Sequence, residues 1–234
     1  MNANINPEDY FKGTFVSSPA TLKQKLKQIK AFVFDWDGVF NDGRKNIDGH
    51  SNFSETDAMA VNLMRFSHYL VHKEIPPTIL ITGENNQLAF SYAKREHFNK
   101  VYYKVSHKEQ ALTHLCEHHR LSPGEVLFVF DDVLDFSLAR LAGVRFMVGR
   151  TANPLLNEYA ANNRLADYIT KHSGVNHAIR EVSEMVMAMR NNFTVAVENR
   201  MKYSEAYKDY IGLRNQLLVD FFTIQNGQVI PENI

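Results

Sequence analysis

Two short, unbroken apolar runs, Ala31-Phe32-Val33-Phe34 and Val126-Leu127-Phe128-Val129-Phe130, each stop at aspartates: Asp35 and Asp37 after the first, Asp131 and Asp132 after the second. Runs of this length, rich in Val and Phe, suit strands covered on both faces, and such strands belong to parallel sheets flanked by helices. Residues i and i+2 of a strand point the same way. If the pleat persists to the strand end, Asp35 and Asp37 enter one site, and Gly38 lets the chain turn sharply behind them.

The rest of the chain alternates in a way that supports this frame. Ser18-Pro19 is an N-cap and first-turn pair, after which Leu22, Leu26 and Ile29 recur at helical spacing. Turn signals Asp42-Gly43 and Asp48-Gly49 make the stretch up to Asp57 a loop or small hairpin directly after the first aspartates. A helix is predicted from Asp57 to about His72, a strand over Thr78 to Ile81, a helix from Asn85 to His97 and a strand from Val101 to Tyr103. Helix His107 to Arg120 follows, then the turn Ser122-Pro123-Gly124, strand Val126 to Phe130 and helix Val133 to Leu141. Strand Arg145 to Val148, helix Pro154 to Asn162 and a short strand Tyr168-Ile169-Thr170 complete the alternation. The fold class is therefore α/β, a doubly wound parallel sheet with ligands expected at the strands' C-terminal ends.

From Asn176 the pattern is helical to Met189, and a second helix-like run extends from about Phe193 to Ile224. Its wide apolar stripe, including Val197, Met201, Tyr207, Tyr210 and Phe221, must bury against the domain or a partner. Periodicity leaves intramolecular docking and oligomerisation, as a dimer or tetramer, equally open. The expected organisation is an N-terminal extension and helix over 1–29, a core over 30–190 with an insertion at about 42–57, and a helical extension over 191–234. Asn226-Gly227 and Pro231 mark a loose end.

Charge narrows the function classes. Lys+Arg and Asp+Glu both number 26 of 234 residues, so no global field favours nucleic acid or an anionic membrane. Cys116 is the sole cysteine, which suits a reducing compartment, and Met1 to Tyr10 is polar, unlike a secretory leader. With no apolar run of membrane-spanning length, a cytoplasmic protein is expected. His68 and His72 at i, i+4, and His114, Cys116 and His118, lack a full zinc ligand set and read as structural.

Chemistry-bearing residues stand in order at predicted edges: Asp35 and Asp37, then Thr82-Gly83, then Lys108, then Asp131, Asp132 and Asp135. Any one of them could be a turn former, a helix cap or a solvated side chain. As an ordered set they resemble the four motifs of the haloacid dehalogenase superfamily of phosphatases, over about Ile29 to Met187. The resemblance implies a hydrolase of phosphoric monoesters in which Asp35 is the nucleophile and Asp37 the acid/base. It implies Mg²⁺ on the carboxylates of Asp35 and Asp131 and the main-chain carbonyl of Asp37, with Asp132 and Asp135 behind them. Thr82, Gly83 and Lys108 would hold the phosphoryl group, and Asp57 would join the substrate side. A signalling receiver domain has a related constellation, but it needs its acidic pair early and its phospho-acceptor on a middle strand.

Asp35-Trp36-Asp37-Gly38-Val39-Phe40-Asn41-Asp42-Gly43, together with Ala166-Asp167-Tyr168-Ile169-Thr170 and Gly174, is similar to the small-capped group acting on 3-deoxy-D-manno-octulosonate 8-phosphate. That likeness implies a phosphorylated sugar or sugar-acid substrate and a minimal cap. The chain departs from the group at Glu84, where an arginine is usual, and at Phe130, where a glycine is usual. Those departures keep a second reading in view, a catalytically weak relative serving as a binding or assembly module.

Overall fold

The computed structural model describes residues 6–234, so the first five residues of the N-terminal extension lie outside it. In chain order the elements are α1 (Pro7–Tyr10), β1 (Thr14–Phe15), α2 (Pro19–Leu26), β2 (Ala31–Phe34), α3 (Glu55–His72), β3 (Thr78–Ile81), α4 (Gln87–Arg95) and β4 (Lys100–Tyr102). They continue with α5 (Lys108–His119), β5 (Val126–Phe130), α6 (Phe136–Ala139), β6 (Val144–Met147), α7 (Pro154–Asn162) and β7 (Tyr168–Ile169). The chain ends with α8 (Ala178–Met189), α9 (Phe193–Met201), α10 (Glu205–Arg214), β8 (Asp220–Gln225) and β9 (Gln228–Glu232). One sheet runs β1-β7-β6-β5-β2-β3-β4-β8-β9, parallel except for the outermost strands β1 and β9. The two apolar runs are its centre, paired in parallel as Phe32 with Leu127 and Phe34 with Val129.

Period-two alternation divides these strands between two cores. Phe32, Phe34, Leu127 and Val129 pack with Leu22 and Leu26 of α2, Val61 and Met64 of α3, Phe90 of α4 and Val182 and Val186 of α8. Val33, Phe128 and Phe130 face the other way, against Leu112 and Leu115 of α5, Leu138 of α6 and Ala160 of α7. Both faces of the sheet are thus covered at its centre, which is why β2 and β5 carry no polar residue.

Helix α3 is buried on two sides, and its buried residues include the polar Asn62, Arg65, Ser67 and His68. Its outer face, Leu63, Phe66 and Tyr69, forms a third cluster with Met187, Ala196, Tyr207 and Tyr210. Tyr207 and Tyr210 hydroxyls reach the side chain and carbonyl of Asn62. Docking of the C-terminal stripe is therefore intramolecular over these residues, while Met201 and Leu218 stay exposed.

Two expectations need correction. The helix-like run to Ile224 stops at Arg214, and the chain then forms the β8–β9 hairpin, with β8 parallel to β4. Asp220-Phe221-Phe222-Thr223-Ile224 alternates with period two, burying Phe221 and Thr223, and Asn226 and Gly227 have the positive φ of a tight hairpin turn. The apolar stripe passes through a change of period here, and the end is a paired strand rather than loose. Of the two readings open for the insertion, loop or small hairpin, the loop holds: residues 42–54 contain no strand and are bent at Asn46–His50 and tied end to end by Asn41, whose Nδ2 donates to the Asn52 carbonyl at 3.0 Å. The predicted helix Val133 to Leu141 is present as a 3₁₀ turn, Val133–Asp135, that runs directly into α6 and ends at Ala139.

Candidate active site

β2 and β5 are neighbours at the point where the strand order reverses: the chain leaves β2 toward β3 and β4 on one side, then returns to β5 on the other. A crevice opens at the C-terminal ends of such strands. Asp35 and Asp131 are the first residues past those ends, and the short 3₁₀ turn carries Asp135 back beside them. Ligand atoms of Asp35, Asp131 and Asp135 all lie within 4.8 Å of one another, and all three residues are buried.

Two cations answer these three carboxylates. Lys108, the first residue of α5 and 4% exposed, donates from Nζ to Asp35 Oδ1 at 2.6 Å and to Asp135 Oδ1 at 2.5 Å. Arg150, in the loop after β6, donates from Nη2 to Asp131 Oδ2 at 2.5 Å. Burial raises the pKa of Asp35, with Lys108 pulling the other way. Burial and the neighbouring Asp35 and Asp135 raise that of Asp131. Burial alone would lower Lys108, but Asp35 and Asp135 outweigh it and hold its ammonium charged.

The turn that admits Arg150 requires glycine twice over. Gly38 has φ +85°, and a Cβ there would lie 1.9 Å from Arg150 Nη2 and 2.1 Å from Asp131 Oδ2. Arg150 carries no motif signal, which is why the sequence did not point to it.

Asp37 sits at the rim. Its Oδ1 accepts from Ser51 Oγ at 2.5 Å and pairs with Lys45 Nζ at 2.6 Å, both from the 42–54 loop. Thr82 follows β3, 1% exposed, and its Oγ1 accepts from the Glu84 amide at 3.2 Å, while Gly83 and Glu84 are exposed beside it. Asp132 points away from the cluster: it is exposed and accepts from the Val133 amide at 2.6 Å. The two aspartates expected to act together behind the metal are thus placed differently, with Asp135 inside the cluster and Asp132 outside it. Asp57 also departs from expectation. It is 0% exposed and accepts from His177 Nδ1 and the Arg180 amide, both at 3.2 Å, so it fastens α3 to the start of α8, apart from the carboxylate cluster. Phe130 is fully buried, stacked on Phe128 at 5.2 Å, so it fills core rather than the site.

The donor set suits a hard divalent ion: three carboxylates in ligand range with only two cationic side chains, one negative charge in excess. A cavity of about 910 Å³ lined by Tyr10, Phe11, Lys171, His177 and Phe193 lies elsewhere, and none of the carboxylates lines it. Among the described residues, no helix is long and apolar enough to cross a membrane.

No family model matches the chain. A curated relative, 3-deoxy-D-manno-octulosonate 8-phosphate phosphatase of Escherichia coli, is 26% identical over 172 residues, 72% of this chain and 84% of the relative. The crystal structure of the Moraxella catarrhalis phosphatase of that name, in complex with magnesium ion, phosphate ion and KDO, is similar with a TM-score of 0.62 and 25% identity, covering 76% of this chain and 97% of that one. A subfamily III A haloacid dehalogenase hydrolase from Legionella pneumophila shares the fold with a TM-score of 0.65 at 24% identity, covering 78% of this chain and 95% of that one.

Proposed function

We propose, for a chain that belongs to the haloacid dehalogenase superfamily and has phosphatases among its homologues, a Mg²⁺-dependent hydrolysis of sugar or sugar-acid phosphate monoesters through an aspartyl-phosphate on Asp35. The observation that carries this reading is the convergence of Asp35, Asp131, Asp135 and Lys108 in one buried cluster at the switch point of the sheet.

A carboxylate oxygen of Asp35 forms a bond to phosphorus as the ester oxygen leaves, and Asp37 gives that oxygen its proton. Water then attacks the phosphorus of the aspartyl-phosphate, passing a proton back to Asp37, and the Asp35 carboxylate and phosphate are released. In this reading Thr82 Oγ1 and the Gly83 amide, which follow β3, donate to phosphoryl oxygens. Lys108 fixes the Asp35 carboxylate and offsets its charge as the phosphoryl group approaches. Held by the Asp35 and Asp131 carboxylates and the Asp37 main-chain carbonyl, with Asp135 alongside, Mg²⁺ would neutralise the phosphoryl oxygens and the surplus carboxylate charge.

A screen of sugar phosphates, sugar-acid phosphates and nucleotides, with Mg²⁺ and with chelator, tests this. Turnover is expected with Mg²⁺ on at least one sugar or sugar-acid phosphate, and Asp35→Asn should lower it by roughly 10⁴-fold or more, as loss of a nucleophile does elsewhere. Equal rates in wild type and Asp35→Asn, in folded protein, would favour a binding module instead.

A further inference from the structure

Asp37 is gripped from one side only. Among the described residues its Oδ1 takes both hydrogen-bond donors, Ser51 Oγ at 2.5 Å and Lys45 Nζ at 2.6 Å, and its Oδ2 takes none. Ser51 is 1% exposed and, as a hydroxyl, could in principle donate or accept. The fold removes that choice. Trp36 Nε1 donates to Ser51 Oγ at 3.0 Å, and an indole N–H is a donor only. Asn86 Nδ2 donates to the same oxygen at 2.8 Å. The amide of Asn86 cannot be reversed, because its Oδ1 already accepts from the Leu88 and Ala89 amides as the N-cap of α4. With both lone pairs of Oγ occupied, the Ser51 proton has one acceptor, Asp37 Oδ1.

Each donor is itself buried. Trp36 is fully buried among Phe40, Phe53 and Tyr92, with ring centroids 5.0, 6.2 and 5.5 Å away. Asn86 is fully buried, four residues beyond Thr82. Ser51 is brought to them by Asn41, which ties Asn52 to the turn after β2. The arrangement therefore joins the insertion loop, the turn after β2 and the turn after β3 at a single hydroxyl.

We infer that Ser51, with its proton direction set by Trp36 and Asn86, is a positioning residue for Asp37, holding Oδ1 so that Oδ2 is the atom that exchanges the proton with the leaving group. The inference rests on Asp37 as acid/base in the proposed reaction. Leaving groups separate this role from a merely structural one: an alkyl phosphate needs the proton as the P–O bond breaks, whereas p-nitrophenyl phosphate, with its stable leaving anion, needs it little. Ser51→Ala should lower kcat on a sugar phosphate by about ten- to a hundredfold with KM nearly unchanged, and on p-nitrophenyl phosphate by less than about threefold. Equal losses on the two esters, or none on either, would overturn the inference.

A readout without turnover judges the relay by itself. Trp36 is the sole tryptophan, so the chain has a single indole N–H resonance. Ser51→Ala and Asp37→Asn should each move it, and Asp37→Asn should move it no further when Ser51 is already Ala. An indole resonance indifferent to Asp37→Asn in the wild-type background would show that Ser51 does not link the two, whatever the kinetics. Absence of turnover on both esters in wild type would overturn the phosphatase reading, and the resonance would still decide whether Ser51 holds Asp37.

Discussion

Two buried carboxylate sites lie at opposite ends of the sheet. At the N-terminal end of β7, Asp167 is 0% exposed and meets Arg145 Nε and Nη2 at 3.1 Å, the Arg145 amide at 2.9 Å, and Lys25 Nζ and Ser17 Oγ at 2.6 Å. At the C-terminal ends of β2 and β5, Asp35, Asp131 and Asp135 share Lys108 and Arg150. One carboxylate with two cations is oversupplied; three with two are not. The pKa values follow: burial would raise Asp167, but Arg145, Lys25 and Ser17 outweigh it and hold it low, while Asp35 and Asp131 are raised. The first site is closed on itself. The second carries charge that only something from outside the chain can offset.

Breaking the closed site should cost the most. Arg145→Ala removes three hydrogen bonds to charged or carbonyl groups, at Asp167 Oδ1 and Oδ2 and the Arg164 carbonyl, and leaves a fully buried carboxylate with Lys25, Ser17 and the main-chain amide of residue 145. A loss of about 3 kcal/mol is expected from urea unfolding. Because the site has nothing to do with a ligand, the loss should be the same with and without Mg²⁺. A loss that Mg²⁺ repaired would mean the two ends are coupled.

The open site should show itself in pH. For Asp35 and Asp131 the folded-state pKa lies above the unfolded value of 3.8, so the folded chain binds more protons than the unfolded one across that interval. Their contribution therefore favours folding at low pH and is lost as pH rises from 3.8 through the folded values. Asp167 has the opposite sign: its contribution is present above 3.8 and is lost as pH falls through its lowered folded value. In metal-free protein the two carboxylates of the open site should lower the unfolding free energy by on the order of 2 kcal/mol as pH rises through neutrality. Mg²⁺ should flatten that slope. A slope unaltered by Mg²⁺ would mean that the cluster does not take the ion.

How much of this was legible in the chain depends on whether the signal was local. Asp35, Thr82, Lys108 and Asp131 are legible as candidates because each stands at the end of an apolar run or the start of a helix, and the runs themselves mark β2, β3 and β5 to the residue. Arg150 and Ser51 are not, because what selects them is distance across loops: Arg150 from β6 reaching over Gly38, Ser51 from an irregular loop reaching Trp36 and Asn86. Asp57 shows the converse. Its neighbours in sequence are motif-like, but its partners, His177 and Arg180, lie on the far side of the domain sequence. The hairpin β8–β9 was legible, in the alternation after Asp220 and in Asn226-Gly227, but only to a reading that let the period change from helical to two within one apolar stripe.

The finest distinction between the two sites is the sign of a single charge removal. At Asp167, neutralising the carboxylate would strand Arg145 and Lys25. At Asp131, neutralisation removes one of three mutually repelling groups while Arg150, whose side chain is 28% exposed, can turn to water. Asp131→Asn should therefore leave the metal-free protein about 1 kcal/mol more stable near pH 8, the behaviour of a site whose geometry is kept at a cost to the fold. In the same variant Mg²⁺ should no longer add stability, whereas in wild type at a hundredfold excess over the dissociation constant it should add about 2.7 kcal/mol. Parallel unfolding curves of wild type and Asp131→Asn, with chelator and with Mg²⁺, measure both. Destabilisation by Asp131→Asn in chelator would mean that Arg150 and Asp131 form a structural pair like Arg145 and Asp167, and the contrast between the two ends of the sheet would fall.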